Sequence, residues 1–571
     1  MPSLAISNSV LGLRKAKHLL RRACFHYNRS ILEHFATLTP TQAVDELSLN
    51  ETLPWQDPYD TVTNPQDGLN DGFWIHSGNP PSNYPNGQTR KRGIISGWWW
   101  YNMLSQNRLQ HKLMFFLHTC FTVSKDDGSG KSSYYYDYLK LLNFYSYGSL
   151  KTLAKKITFD NSMLLYLDNN TNNKNNPNEN YSREFLELFT ILKGPQIGEG
   201  DYTNYTEHDI QQAARVFSGI KTKPLRDTID QETGIPMGYV NLNQHDTDSK
   251  TFSSAFNNQT IQGGSTEQEV IQELDDFVEM IFSNPETSKA YCRKLYRFFV
   301  RREWDESVEN DIITPLSQQL INSDYNLISV LQTLLKSEHF YDEDNSDVND
   351  EIIGGIIKSP IQFLSEIISL LNISLPNPEA SSSNPPSTWT SDQEDFYHFY
   401  WQFCHKTFFP GTGINIFSPD SVAGYPADYQ GPNFDRSWFS SNTIVARYKT
   451  IESFLTGKNK ILGILTNSNG NQYYQNIRVQ FDSVNFIADN NNISDPYDSL
   501  TIVTELSELF YCEELSSDRL DYFIETLNDN NPGYWSSAWS DYIINGNDVQ
   551  VKTRLDALFT KLINAAEFQL M

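Results

Sequence analysis

Hydrophobic side chains recur with the spacing of an α-helix through most of the chain. Apolar residues at positions i, i+3, i+4 and i+7 share one face of a helix, so each run of this kind predicts a helical segment. The predicted helices are residues 109–122, 136–146, 180–192, 207–218, 267–283, 287–302, 325–337, 358–372, 443–455, 515–527 and 551–570. Strand-like stretches are few, namely 237–242 and 477–488. The pattern predicts a mainly α protein with a multi-helix, orthogonal or bundle-like architecture, long irregular loops and few short strands.

Residues that begin or end helices support this prediction. Thr206 precedes an acidic first turn, where its oxygen and the acids suit the free amides at the positive end of a helix. Asn284-Pro285 ends one helix and opens the next, because proline fits the first turn of a helix.

Four stretches interrupt the helical pattern with Pro, Gly, Asn and Ser. They are residues 53–92, 221–264, 374–392 and 406–437. Residues 374–392 have the composition of a linker or mobile loop. The second and fourth stretches carry hydrophobic and aromatic side chains, so we interpret them as ordered surfaces.

Composition narrows the class of protein. The chain has 571 residues, a formal charge of −26 and 13% aromatic residues. The negative charge argues against nucleic acid or an anionic membrane surface as the main partner. No stretch reaches the roughly 20 apolar residues of a membrane helix, which predicts no transmembrane segment. The five widely spaced cysteines are expected to be mostly buried free thiols.

The compartment stays open. The composition, rich in Asn, Tyr, Ser and Thr with little Lys, is typical of cell-envelope or extracellular proteins. The N-terminus, however, shows no secretory signal pattern. A cytoplasmic protein, export together with a partner and a wrongly assigned start are therefore all compatible with the sequence.

An Asn-rich loop carries the spacing of a calcium site. Asp168, Asn170, Asn172 and Glu179 stand at positions 1, 3, 5 and 12 of a twelve-residue loop between two predicted helices. Such a loop would supply hard oxygen ligands for calcium or another divalent cation. The alternative is a turn whose Asn side chains bond the backbone. Asn175 at position 8, where an apolar residue is usual, departs from the pattern.

Four residues are candidates for catalysis: His118, Glu184, Glu187 and His245. Glu184 and Glu187 could perform acid–base chemistry, and a structural ion pair between Glu187 and Arg183 is the competing interpretation. His118 lies on an apolar helix, where a satisfied core histidine is the alternative. His245 lies in a polar stretch, HDTDSKTF, that could equally be a simple turn.

Ordered motifs along the whole chain resemble the bacterial family known as domain of unknown function 1800. They are HLLRRACF (18–25), LTPTQAVDEL (38–47), KLMFFLHTCFTVS (112–124), LDNNTNNKNNPNENYSREFLELFT (167–190), YTEHDIQQAARVFSG (205–219), HDTDSKTF (245–252), NPETSKAYCRKLYRFFV (284–300), LLKSEHF with IIKSPIQFL, FSPDSVAGYP (417–426), SWFSSNTIVARY (437–448) and AAEFQL (565–570). The resemblance predicts one family unit over 1–571. Within it we expect an N-terminal lobe 1–220, a loop-rich segment 221–264 and a C-terminal helical lobe 265–571.

The resemblance implies little about activity, because the family has no established one. Its members are often exported, and their genes often neighbour those of a second family related to sulfatases, which makes such a protein a possible partner. Relatives often read His-x-His around His118, whereas Cys120 stands at the second position here. That difference puts a shared two-histidine metal site in doubt.

Two functions of different classes follow. The first is a helical, calcium-stabilised envelope or secreted protein that binds or assembles with a partner protein or a polysaccharide, since aromatic side chains make good binding surfaces. The second is a metal-assisted enzyme, a hydrolase or oxidoreductase, in which the His and Glu candidates converge in one cleft.

Overall fold

The fold is mainly α-helical, as predicted. A computed structural model describes residues 2–49, 57–58, 75, 85–344, 352–376, 399–400, 402–425, 434–457, 461–466, 472–477 and 479–571. Helices account for 58% of the structure and strands for 5%. Most of the predicted mobile loop, residues 377–392, lies outside the described residues.

Each predicted helical segment contains a helix in the structure. The α-helices are Gly12–Ala23, Arg29–Ala36, Pro40–Leu47, Pro85–Ser105, Leu109–Cys120, Ser132–Phe144, Leu150–Ile157, Asn161–Tyr166, Asn180–Glu184, Glu207–Val216, Glu267–Phe282, Pro285–Phe299, Glu306–Val308, Thr314–Asn322, Leu327–Leu335, Pro360–Leu370, Phe408–Gly411, Thr443–Thr456, Ser483–Ala488, Ser499–Phe510, Ser517–Asn528, Tyr534–Asn545, Val549–Asn564 and Ala566–Gln569. Three π-helical turns, Phe185–Phe189, Glu309–Ile313 and Gln402–Lys406, interrupt or adjoin them within the described chain.

Helix ends follow the predicted residues. Thr206 is the N-cap of Glu207–Val216, and its backbone N–H donates to the Asp209 carboxylate at 2.8 Å. Asn284 caps the helix Pro285–Phe299, and its side-chain oxygen accepts from the N–H of Glu286 at 3.0 Å. These contacts satisfy amides that have no partner within the helix.

The strands form short antiparallel hairpins. In the described residues Ile220–Lys221 pairs with Tyr239–Val240, Lys250–Thr251 with Thr260–Ile261, and Ile461–Thr466 with Gln472–Ile477. The strand predicted at 237–242 is confirmed in shorter form. The strand predicted at 477–488 is wrong, because the Asp482 carboxylate accepts from two backbone N–H groups and opens the helix Ser483–Ala488.

Aromatic side chains fill the core. Most buried apolar residues of the described chain form one connected cluster that includes both Leu11 and Met571. The largest fully buried side chains include Trp98, Trp99, Trp100, Trp438, Trp535 and Trp539. The aromatic content of the sequence is thus largely accounted for by packing. All five cysteines are buried free thiols, as predicted.

An ion network lies inside this core. The guanidinium of Arg21 donates to one oxygen of Glu366 from Nε at 2.9 Å and from Nη2 at 2.6 Å. The ammonium of Lys358 lies 3.1 Å from the other oxygen, and all three side chains have no exposed surface. Lys112 donates to Gln362 at 2.8 Å beside them. Removing one partner of such a buried group leaves an uncompensated charge, which typically costs about 3–5 kcal/mol.

Among the described residues, no helix has both the length and the apolar character needed to cross a membrane. The division into two lobes and a loop-rich segment stays a prediction.

Candidate functional site

A cluster of acidic side chains lies where the helix Asn180–Glu184 runs directly into the π-helical turn Phe185–Phe189. A π turn inserts one extra residue and is frequent at functional sites. The turn also rotates Glu187 away from the position that an uninterrupted α-helix would give it.

The carbonyl groups of the π turn are satisfied from outside the helix. The hydroxyl of Thr190 donates to the carbonyl of Phe185 at 2.6 Å. The hydroxyl of Tyr291 donates to the carbonyl of Phe189 at 2.6 Å, and this hydroxyl comes from the buried helix Pro285–Phe299. The turn is therefore anchored to the core, which holds the acidic side chains on a rigid support.

Arg183 joins two of the carboxylates. It donates to both oxygens of Glu207, at 2.6 and 3.1 Å, and lies 3.4 Å from Glu179. The hydrogen bonds from Arg183 lower the pKa of Glu207, whereas partial burial and the neighbouring Glu207 raise the pKa of Glu179. The predicted ion pair between Arg183 and Glu187 is wrong, because the guanidinium of Arg183 pairs with Glu207 and Glu179 instead.

Glu184 and Glu187 form the chemically distinctive pair. The hydroxyl of Tyr205 donates to one oxygen of Glu187 at 3.2 Å, and the ammonium of Lys193 contacts the other. Partial burial, reinforced by the charge of Glu187, raises the pKa of Glu184 to about 7. Burial raises the pKa of Tyr166 to about 12, with Glu184 contributing to that increase.

This arrangement suits proton transfer. A carboxylic acid with a pKa near neutrality can give and take a proton at the pH of the cell. Two carboxyl groups with different surroundings can divide the roles of acid and base, since one holds a proton and the other is stabilised by donors. Glu187, with its donors Lys193 and Tyr205, suits the second role.

His118 lies in a separate, apolar environment. Its Nδ1 is 2.9 Å from the hydroxyl of Tyr138, which itself donates to the carbonyl of Phe121 at 2.6 Å. The ring packs against Phe417, and burial lowers the pKa of His118 to about 3. A neutral imidazole that donates from Nδ1 fits these contacts.

His245 belongs to a third, fully buried network. Its Nε2 is 3.0 Å from the carboxylate of Glu273, and its Nδ1 is 2.8 Å from the carbonyl of Ser218. Lys250 lies 2.7 Å from the other oxygen of Glu273. The contacts tie the loop containing HDTDSKTF to the helix Glu267–Phe282 and to the turn that follows the helix Glu207–Val216. The structure thus brings two of the four catalytic candidates together and holds each histidine elsewhere.

The predicted calcium ligands make contacts within the protein. Asp168 has a left-handed backbone with φ 57°. The side-chain oxygen of Asn170 accepts from the N–H and hydroxyl of Thr222, and that of Asn172 accepts from the N–H of Asn178 at 3.1 Å. Glu179 faces the guanidinium described above. No group of three or more His, Cys, Asp or Glu side chains able to hold a metal occurs in the described part of the chain. This finding does not concern the predicted site, because two of its four ligands are Asn. The calcium site stays a prediction.

Sequence reasoning missed Lys193, Tyr205 and Glu207. Lys193 and Tyr205 lie in the loop after the π turn, and Glu207 begins the next helix. No helical spacing therefore relates these residues to Glu184. The only signal is local, since Tyr205 and Glu207 flank the N-cap Thr206 and therefore lie at a helix start, where an acid is favoured.

Comparison with protein families gives a match over nearly the whole chain. The family model described as "Protein of unknown function (DUF1800)" matches residues 18–570. Neither the curated proteins nor the solved structures contain a significant match to the chain.

Proposed function

The chain belongs to the DUF1800 family, and we propose that it is an acid–base hydrolase whose centre is the pair Glu184 and Glu187. One observation carries this proposal: a partly buried carboxyl with a pKa of about 7 lies beside a carboxylate held by an ammonium and a phenol. Groups with strongly shifted pKa values in accessible positions are candidates for catalysis.

The two residues take complementary roles. Glu184, whose pKa is about 7, is protonated in about half of the molecules at neutral pH, and in its protonated form it donates the proton to the oxygen of the leaving group. Glu187 is the base that activates a water molecule, and Lys193 together with Tyr205 orients its carboxylate. Pairs of carboxyl groups in which one is the general acid and the other the general base are typical of glycoside hydrolysis.

The surroundings favour an uncharged, hydroxyl-rich substrate such as a polysaccharide. The net charge of −26 and the nearby Glu179 and Glu207 would repel a polyanion. The partly exposed ring of Tyr202 supplies aromatic surface near Glu187, since it lies 5.3 Å from the ammonium of Lys193 and packs on the buried Tyr205 at a centroid distance of 5.6 Å. Aromatic rings beside carboxylates can pack against the apolar faces of sugars while hydroxyl groups meet the acids.

The test is hydrolysis of a panel of neutral polysaccharides, measured as released reducing ends. We expect the wild-type protein to hydrolyse at least one of them, with activity falling above about pH 7 as Glu184 loses its proton. The substitutions Glu184→Gln and Glu187→Gln should each lower the rate by about 10²–10⁴-fold, the usual contribution of an acid or base. Glu199→Gln, which changes an exposed carboxylate in the following loop, is the matched control. Full activity in Glu184→Gln, or no hydrolysis of any member of the panel by folded protein, would refute the proposal.

A second candidate is the binding or assembly function, because one exposed stretch is apolar. Ile543, Ile544 and Val549 are 55%, 77% and 67% exposed at the end of the helix Tyr534–Asn545 and the start of the next. Exposed apolar side chains that lie close together often mark protein contacts. The partner in this case is the sulfatase-related protein that the family resemblance implies. Sedimentation of the two purified proteins should show a complex that Ile544→Asp abolishes; no complex at micromolar concentration rejects this candidate.

A further inference from the structure

We propose that Ser369 is the nucleophile of a separate site that hydrolyses uncharged carboxylic esters, with His26 as its base. This inference is independent of the function proposed above. Ser369 lies on the helix Pro360–Leu370 and His26 follows the helix Gly12–Ala23, so neither belongs to the carboxyl pair, and the reaction passes through a covalent acyl group.

Three groups from distant parts of the chain form one series of hydrogen bonds. Nδ1 of His26 lies 2.8 Å from the hydroxyl oxygen of Ser369, and Nε2 lies 2.8 Å from the carbonyl oxygen of Met103. A carbonyl only accepts, so Nε2 carries the ring proton and Nδ1 accepts from the serine hydroxyl. A hydroxyl beside an imidazole that a third group holds in place is the arrangement that activates a nucleophile. A neutral oxygen can be that third group, as it is in Cys-His-Asn sites.

The serine and the histidine both line an open cavity of about 460 Å³. Ser369 is half-buried, and its helix ends one residue later, where the chain turns through Asn372 with a left-handed φ of 49°. His26 is 6% exposed, and burial lowers its pKa. The imidazole is therefore neutral at neutral pH, which leaves Nδ1 able to take the proton of the serine. A small substrate in the cavity lies next to the nucleophile, while the base is held on a buried support.

The wall of the cavity favours an uncharged ester. The described residues that line it include no Asp, Glu, Lys or Arg, and Ile368, Ile373 and Leu375 supply apolar surface for an acyl chain. Asn28 lines the cavity as well, and its side-chain oxygen accepts from the N–H of Ile31 at 2.9 Å. The amide N–H groups of Asn28 are the part of this side chain that remains for a ligand. Amide donors stabilise the oxyanion that forms when a carbonyl carbon is attacked.

The reaction balances with water as the only co-reactant. Oγ of Ser369 bonds to the ester carbon while its proton moves to Nδ1 of His26. The bond from that carbon to the alcohol oxygen then breaks, and the alcohol leaves with the proton from Nδ1. Water attacks the acyl group on the serine in the same way, giving its proton to Nδ1. The bond between the acyl carbon and Oγ breaks, Oγ takes the proton back, and the carboxylic acid leaves.

The test uses the full-length protein with two probes. A fluorophosphonate, from which an activated serine displaces fluoride, should leave a phosphonyl group that peptide mass spectrometry places on Ser369. The uncharged ester p-nitrophenyl butyrate should be hydrolysed, with release of p-nitrophenolate as the measure of rate. Ser369→Ala should abolish the adduct and reduce the hydrolysis to the rate in buffer. His26→Gln should slow both reactions by about 10²–10⁴-fold, the usual contribution of a general base.

Two controls keep the outcome decisive. Ser374→Ala removes an exposed hydroxyl outside the lining of the cavity and should change neither reaction. Thermal unfolding shows which variants are folded, and Ser369→Ala decides the matter if His26→Gln does not fold. The proposal fails if folded wild-type protein gives no phosphonyl adduct on Ser369, because a serine that only bridges two helices is not activated. It also fails if ester hydrolysis is absent, or if it survives Ser369→Ala.

Discussion

Replacing Glu184 by Gln should stabilise the protein at pH 8 and leave its stability unchanged at pH 4. Partial burial and Glu187 raise the folded-state pKa of Glu184 from its ordinary value of 4.5 to about 7. Below pH 4.5 the carboxyl is protonated in both the folded and the unfolded chain. Between these two values the unfolded chain loses the proton and the folded protein keeps it, so stability falls as pH rises. Above pH 7 the destabilisation is complete, and glutamine removes it.

The magnitude follows from the two pKa values. One pKa unit corresponds to 1.36 kcal/mol, so the difference gives at most about 3 kcal/mol. Because Glu184 is partly exposed, solvent screening reduces this to about 1–2 kcal/mol. For a chain of 571 residues that unfolds as one unit, the unfolding entropy converts this into a shift of the midpoint of about 1–2 °C.

The assay is thermal unfolding of wild type and Glu184→Gln from pH 4 to pH 8.5 in buffers of equal ionic strength. The difference between their midpoints should grow with pH and level off above pH 7. Glu199→Gln serves as the control for loss of an exposed negative charge. A difference that does not change with pH, or that the control reproduces, would show that Glu184 does not have the proposed surroundings.

Three further outcomes are expected. Glu366→Gln leaves two buried cations without their carboxylate and should destabilise the fold by about 3–5 kcal/mol, measured by urea denaturation. Tyr291→Phe removes a donor to the π turn and should cost about 1–3 kcal/mol, with a loss of hydrolysis larger than that in a surface Tyr→Phe control. Adding calcium to chelator-treated protein should raise the unfolding midpoint by more than about 1 °C, because a cation that binds only the folded chain stabilises it, and Asp168→Asn should abolish the rise. A smaller change would contradict the predicted cation site.

The helical fold was predictable because its signals are local. The helical spacing of apolar residues can be recognised from neighbouring positions in the sequence alone. The same is true of caps such as Thr206 and Asn284. The failure at 477–488 has a local cause as well. Apolar residues alternate there as they do in a strand. Asp482, however, is the N-cap of a helix, and its hydrogen bonds to the first backbone amides favour the helix over the strand.

The candidate site was only half predictable. The spacing Glu-x-x-Glu singles out Glu184 and Glu187, yet nothing in the spacing predicts a π turn or the approach of Lys193 and Tyr205. The histidine candidates show the same limit. Whether a histidine is exposed to a cleft or pairs inside the core depends on partners distant in sequence, as with His118 and Tyr138.

The motifs that carry the family resemblance converge on the buried ion network rather than on the carboxyl pair alone. Its members come from three separate motifs or their immediate neighbours: Arg21 (18–25), Lys112 (112–124), and Lys358, Gln362 and Glu366 (in and after IIKSPIQFL). Arg447 (437–448) joins two further motifs to it, because it donates to the carbonyl of Lys358 at 2.6 Å and to the side chain of Gln569 (565–570) at 3.2 Å. Charged residues in a core are tolerated only when every partner is present, so such motifs must appear together for the chain to fold. The resemblance therefore identifies the fold, while the activity proposed for Glu184 and Glu187 rests on residues at the partly exposed edge. Substitutions in the network will report on folding, and substitutions at Glu184 and Glu187 will report on function.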